Sequence, residues 1–218
     1  YWPHLAELFR PDLEERVFAV LHGRPQPPAT PLCFRVAGKP HYYPGSVHDW
    51  LLYHAAVVMS LPAIAAVLGS ETESRDLTPP GVAALRQAAC GGNEWMMFHW
   101  KRVEEEVRKR IRPGGVVMHC DIRRCFASVG GPVVLERLEA AGADAWSRRQ
   151  LAMLLHRWNA SGCSGVPFTL VTHQLVRLVL YTVDRQLRND GLEVLRCGDD
   201  YRLICGSEDR KSTRLNSS

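Results

Sequence analysis

Leu192-Glu193-Val194-Leu195-Arg196-Cys197-Gly198-Asp199-Asp200-Tyr201-Arg202-Leu203-Ile204-Cys205 decides how this chain is read. Two apolar runs, Leu192–Arg196 and Tyr201–Cys205, flank Gly198-Asp199-Asp200. A short Gly-Asp turn between two such runs reads as a β-hairpin with an aspartate pair at its tip. Earlier in the chain, Val116-Val117-Met118-His119-Cys120 reads as a buried strand ending at Asp121, 78 positions before Asp199. Each feature alone is ordinary. A Gly-Asp-Asp turn is usually a surface hairpin, and an Asp after a strand is often a helix cap.

The two features gain meaning together. If the strands share a sheet, the end of the first lies beside the hairpin tip, and three carboxylates meet. Such a cluster is unfavourable unless cations bind there. Magnesium prefers oxygen ligands, commonly one or two carboxylates plus substrate phosphates. Two such ions about 4 Å apart serve in-line phosphoryl transfer, in which positioning and charge neutralisation supply most of the catalysis.

Outward from these sites, the spacing predicts a helical N-terminal extension over 1–32, with Leu13, Val17, Val20 and Leu21 on one face before a Pro-rich stretch. Cys33–Val36 is a short strand candidate, followed by a turn at Gly38, Lys39 and Pro40. Residues 47–68 are helical, with Asp49 near the start. The longest apolar run, Ala55–Leu68, is broken by Ser60 and Pro62. It reads as a buried, kinked helix, and no stretch reaches the length of a membrane span. Residues 69–82 form a polar loop. Residues 94–112 form an amphipathic helix whose Glu104–Arg110 charges read as a solvated face. Trp95, Phe98 and Trp100 on it read as core residues rather than base-stacking groups. Helices over 132–140, 144–158 and Leu170–Leu187 follow, with a flexible loop at Ser161–Gly165.

Bulk properties narrow the class only a little. A net charge of +4 permits nucleic-acid binding without arguing for it. Seven cysteines, scattered and without a CxxC pair, read as including several buried thiols of a reducing cytoplasm rather than a zinc site. Nine histidines show no ligand spacing, and His48 and His54 read as packing or surface residues. No secretory signal is visible. The first residue is Tyr1, which points to a fragment or a processed product. Asp209–Ser218 resembles the conceptual translation of a sequencing adapter, so 209–218 is expected to be a non-native tail.

At this point a family resemblance enters. Val116–Val129, with Asp121-Ile122-Arg123-Arg124-Cys125-Phe126 at its centre, resembles the first catalytic motif of bacterial reverse transcriptases. Leu195–Leu203 resembles their aspartate-pair motif. Ser164-Gly165-Val166-Pro167-Phe168 and the helix through Leu180 and Asp184-Arg185 resemble the Gly-Leu-Pro-x-Gly segment between them. The likeness covers about residues 30–208 and is nearest to the retron, group II intron and abortive-infection or defence-associated group.

The resemblance implies an α+β right-hand polymerase fold. The fingers, partly helical, would span 33–115. A palm with an antiparallel sheet would span 116–208, and the thumb would be missing. It implies cytoplasmic RNA-directed DNA synthesis in phage defence or a mobile element, with an RNA template, a DNA or RNA primer, deoxynucleoside triphosphates and no membrane. A thumb or fused domain would follow in the full protein, so the fragment itself is expected to be impaired. The cofactor would be two Mg2+ ions, with Mn2+ as a substitute. Asp121 and Asp199 would be the principal metal ligands, with Asp200 adjacent and Ile122 in the same metal set. Phe126 would be the steric gate that rejects a ribose 2′-hydroxyl. Backbone N–H groups of Ile122, Arg123, Arg124 and Cys125 would face the triphosphate. Pro167, Phe168, Arg35 and Lys39 complete the implied substrate contacts.

The sequence also departs from the family pattern. Thr169 stands where a second glycine is usual, and glycine there would let the backbone approach template or nucleotide closely. Cys197 replaces a common aromatic, and Gly198 a common Ala or Val. An RNA-dependent RNA polymerase shares the Gly-Asp-Asp hairpin but typically carries an Asp where Phe126 stands. A non-catalytic nucleic-acid-binding remnant is the reading from a different class.

Overall fold

A computed structural model describes residues 31–36, 39–43, 46–69, 94–169 and 171–206. The expected N-terminal helix, the polar loop after Gly69, Cys90 and the tail 209–218 lie outside the described residues. The fold is α+β. Among the described residues the elements run β1 (Leu32–Val36), β2 (Lys39–Tyr43), α1 (Val47–Gly69), α2 (Glu94–Arg110), β3 (Val116–Asp121), α3 (Cys125–Ser128), α4 (Gly131–Ala140), α5 (Ala145–Ala160), α6 (Thr172–Asn189), β4 (Glu193–Cys197) and β5 (Asp200–Cys205). They fall into two compact units, each made from two stretches of chain. One is Tyr1–Ala66 with Arg124–Leu175, and the other is Val67–Arg123 with Val176–Ser218.

In the first unit β1 and β2 pair antiparallel, with Val36 opposite Lys39 and Arg35 opposite Pro40. Lys39 and Pro40 were expected in the turn. They open β2 instead, and a proline is tolerated at the start of a strand, where a lost N–H costs least. Ser46 starts α1 by accepting the Asp49 N–H at 3.0 Å, a capping bond that satisfies an otherwise orphaned donor. Asp144 starts α5 in the same way, accepting the Ser147 N–H at 2.9 Å. The Ser147 hydroxyl and amide bonds hold the Asp144 carboxyl below its usual range. The core gathers around Trp158, which is fully buried and meets Tyr53 at 5.5 Å and Tyr42 at 6.0 Å between ring centroids.

Helix α1 corrects the expectation of a broken apolar run. It is continuous over 23 residues through Pro62. The Ser60 hydroxyl is satisfied locally, donating to the Ala56 carbonyl at 2.8 Å, so it does not interrupt the helix. Tyr53, Ala56, Val57, Ser60, Ile64 and Leu68 form its buried stripe, while Val58, Met59, Pro62 and Ala66 stay exposed. The expectation that no stretch reaches the length of a membrane span is also corrected: the segment His48–Gly69 is long and apolar enough, by length and composition, to cross a membrane, a test that core helices also pass.

In the second unit, Val103 and Val107 of α2 pack on Leu195 and Ile204 of the sheet, with Val117 and Cys197 alongside. The charged face of α2 is solvated, as expected. Glu106 binds Lys109 at 2.8 Å and Arg110 at 3.1 Å, and these bonds lower its carboxyl pKa. The sheet order is β3-β5-β4, all antiparallel. Strand β3 was expected to be buried, yet Val116 and Met118 are exposed. The reason is strand alternation: Val116 and Met118 lie on the face opposite Val117, which packs against the α2 cluster. Helix α6 begins at Thr172 rather than at Leu170, which lies outside the described residues. It is less apolar than expected, since Gln174, Arg177 and Asp184 are buried in it.

The cysteines also need correction. Of the six described, all free, only Cys125 and Cys163 are buried, and Cys33 is exposed. Burial pushes the Cys163 thiol up to about 12, so it is a poor nucleophile at neutral pH.

Candidate metal centre

The antiparallel ladder carries Asp121 to the hairpin. Strand β5 lies between the other two, so Asp200 pairs with Asp121 on one side and with Cys197 on the other. That register leaves Gly198 and Asp199 as a two-residue loop. Gly198 has φ +66°, the conformation for which glycine is favoured at the first position of tight hairpins. The Ile122 N–H then reaches across from the end of β3 and donates to the Asp199 carbonyl at 3.2 Å.

These constraints bring Asp121, Asp199 and Asp200 together. Each offers a carboxylate oxygen, and the three oxygens lie within 4.8 Å of one another. Asp121 is exposed and the other two are half-buried, so solvent and ions reach all three. Like charges at this separation repel. Hard, all-oxygen donors with a formal charge of −3 fit a divalent cation such as Mg2+ and do not fit a soft metal.

Two features of this region were not read from the sequence. Beside the turn, Arg196 and Asp184 form a buried ion pair at 2.9 Å. The second is the Ile122 bond just described. An Ile122 N–H facing a triphosphate was expected; in this structure it donates to the Asp199 carbonyl.

The remaining expected residues divide between the units. Arg123 is exposed in the second unit. In the first, Arg124 is exposed and starts α3 in the left-handed region, at φ 54° and ψ 43°. Such a conformation costs a non-glycine residue about 1 kcal/mol or more. Cys125 is buried, as is Pro167. The side chains of Arg35 and Lys39 lie outside the described residues, as do those of Trp95, Phe98 and Trp100.

Phe126 and Phe168 are brought together in the first unit. Their rings meet edge to face at 5.0 Å, and His173 meets Phe126 edge to face at 4.9 Å. Dense surroundings push the His173 pKa down from 6.5 to about 4, so the ring is neutral at pH 7. Gly165 explains the glycine in this segment. Its φ is +77°, and a Cβ there would stand 2.1 Å from the Phe126 carbonyl oxygen. Val166 N–H donates to that same oxygen at 2.9 Å, and Phe168 N–H to the Tyr42 carbonyl at 2.9 Å. Thr169, at the unusual position, joins a buried hydroxyl chain through Thr172 to Tyr53, with both steps at 2.8 Å.

No protein-family model matches the chain, and no curated protein matches it.

Proposed function

We propose that this chain is the metal-binding portion of an RNA-directed DNA polymerase, a reverse transcriptase of the bacterial type. The observation that carries the reading is the convergence of Asp121, Asp199 and Asp200, from segments far apart in sequence, with oxygens within 4.8 Å. They stand at the end of an antiparallel sheet, with Asp121 exposed and Asp199 and Asp200 half-buried. When bound, divalent cations there would neutralise the triphosphate and lower the barrier to attack by a primer 3′-hydroxyl. Asp121 and Asp199 hold the ions, and Asp200 adds the adjacent carboxylate. Phe126, braced by Phe168 and His173, sets the deoxynucleotide preference. On this reading the α+β fold is a polymerase palm with part of its fingers.

The test is magnesium-dependent extension of a DNA primer on an RNA template, using the wild type and Asp199→Asn. Deoxynucleotide incorporation by the wild type alone is expected. Equal signal from both folded proteins removes the polymerase reading. Ribonucleotides added as readily as deoxynucleotides would instead favour an RNA-dependent RNA polymerase.

A further inference from the structure

The two peptide groups that flank Asp199 are both pinned. The Gly198 carbonyl accepts from Arg196 Nη1 at 3.0 Å, and the Asp199 carbonyl accepts from the Ile122 N–H at 3.2 Å. These two planes set φ and ψ of Asp199, and so the direction in which its carboxylate points. The Ile122 bond is ordinary sheet closure. The Arg196 bond is a side-chain device and needs its own support.

That support is buried beside the turn. Arg196 is 1% exposed. Its Nε donates to the Asp184 carboxylate oxygens at 3.0 and 2.9 Å, and its Nη2 lies 2.9 Å from Asp184 Oδ2. The Tyr201 hydroxyl donates to Asp184 Oδ1 at 2.9 Å. A carboxylate that receives a planar guanidinium fork fixes its orientation as well as its position. The remaining Nη1 is thereby aimed at the Gly198 carbonyl. The pair is formally neutral, so it holds the turn without placing a net charge beside the three aspartates.

We infer that Arg196 is a positioning residue for the carboxylate cluster, anchored by Asp184 and Tyr201, and that it sets divalent-cation affinity by fixing the peptide plane ahead of Asp199. This inference rests on the metal-centre reading above. Groups that orient metal ligands without touching the metal commonly alter affinity about 10–100-fold when removed.

A purely structural ion pair makes a different prediction. Replacing a buried pair by apolar residues of similar volume is often neutral or stabilising. The triple variant Arg196→Met/Asp184→Leu/Tyr201→Phe removes the charges and the hydroxyl together, so no unpaired charge of the trio stays buried, and outside the trio it frees the Gly198 carbonyl, the contact under test. If the pair only stabilises the fold, this variant binds cations as the wild type does. If Arg196 positions Asp199, the variant stays folded and binds about 10–100-fold more weakly. The probe is Mn2+, followed by electron paramagnetic resonance on the whole chain, with thermal melts as the folding control. Arg196→Lys serves should the triple variant not fold. It keeps a cation opposite Asp184 but cannot reach both Asp184 and the Gly198 carbonyl, and the same weakening is expected. Wild-type affinity in either folded variant overturns the inference alone. Absence of Asp199-dependent Mn2+ binding in the wild type overturns the metal-centre reading and the inference with it.

Discussion

Asp121 and Asp200 face each other across the last rung of the β3–β5 ladder. Like charges directly opposite on a sheet destabilise it by about 0.2–1 kcal/mol, and Asp199 adds to the repulsion. The fold therefore gives up stability at this point, a pattern expected of functional sites. Asp121→Asn is expected to raise the melting temperature in EDTA by about 2–4 °C for each kcal/mol relieved. Millimolar Mg2+ is expected to raise the wild-type value and leave the variant unchanged. A variant that melts lower than the wild type without metal contradicts this account of the cluster.

Gly165 tests the close approach of two backbones. A methyl group there would collide with the Phe126 carbonyl oxygen at 2.1 Å, and the φ of +77° is strained for any residue with a Cβ. Overpacking of this kind costs about 1–3 kcal/mol, and the backbone strain about 1 more. Gly165→Ala is thus expected to lose about 3 kcal/mol in urea unfolding. Gly191→Ala is the control. Its φ is +83° with nothing within 4 Å, so only the strain of about 1 kcal/mol applies. Equal losses at the two sites would mean that the segment moves away from Phe126 at little cost.

The hairpin and the meeting of its tip with Asp121 were legible because both follow from local chemistry. Apolar runs around Gly198-Asp199 specify a turn, and an aspartate ending a strand needs only one pairing to reach it. Burial of β3 was not legible. An apolar run looks the same whether one or both faces of its strand are covered, and here only the face that carries Val117 meets the α2 cluster. Strand β2 was missed because Pro40 is a turn signal until Arg35 is known to be its partner. Arg196 left a faint signal, a cation inside the apolar strand Glu193–Cys197. Its partner Asp184 stands twelve positions away on a helix, and no sequence period connects the two. His173 left none, since a histidine after Thr172 has no ligand spacing and its aromatic neighbours come from separate segments.

Phe126 is held by two ring contacts at nearly right angles, from Phe168 and His173. A ring braced on two sides has little freedom to turn. Under the proposed function, Phe126→Val is expected to raise ribonucleotide use relative to deoxynucleotide use by at least about tenfold, because a shape-based pocket discriminates on that scale. Competition between matched nucleotide pairs in primer extension measures it. Unchanged discrimination in an active variant would reduce Phe126 to core packing.

His173 makes the fold sensitive to acid. Burial of the ring lowers its pKa from 6.5 to about 4. Between those values the unfolded chain takes up a proton that the folded chain refuses. Stability is therefore highest above pH 6.5 and falls as the pH drops towards 4, below which this contribution levels off. A shift of this size corresponds to about 3 kcal/mol at most, and solvent at the partly exposed ring edge reduces it to about 1–2 kcal/mol. His173→Phe keeps an aromatic ring against Phe126 and Phe168 but cannot take a proton. Between pH 7 and pH 4.5 the wild type is expected to lose about 1–2 kcal/mol more than the variant in urea unfolding. Parallel losses in the two proteins would show that the acid sensitivity resides elsewhere and that the His173 ring reaches solvent well enough to charge in the folded state.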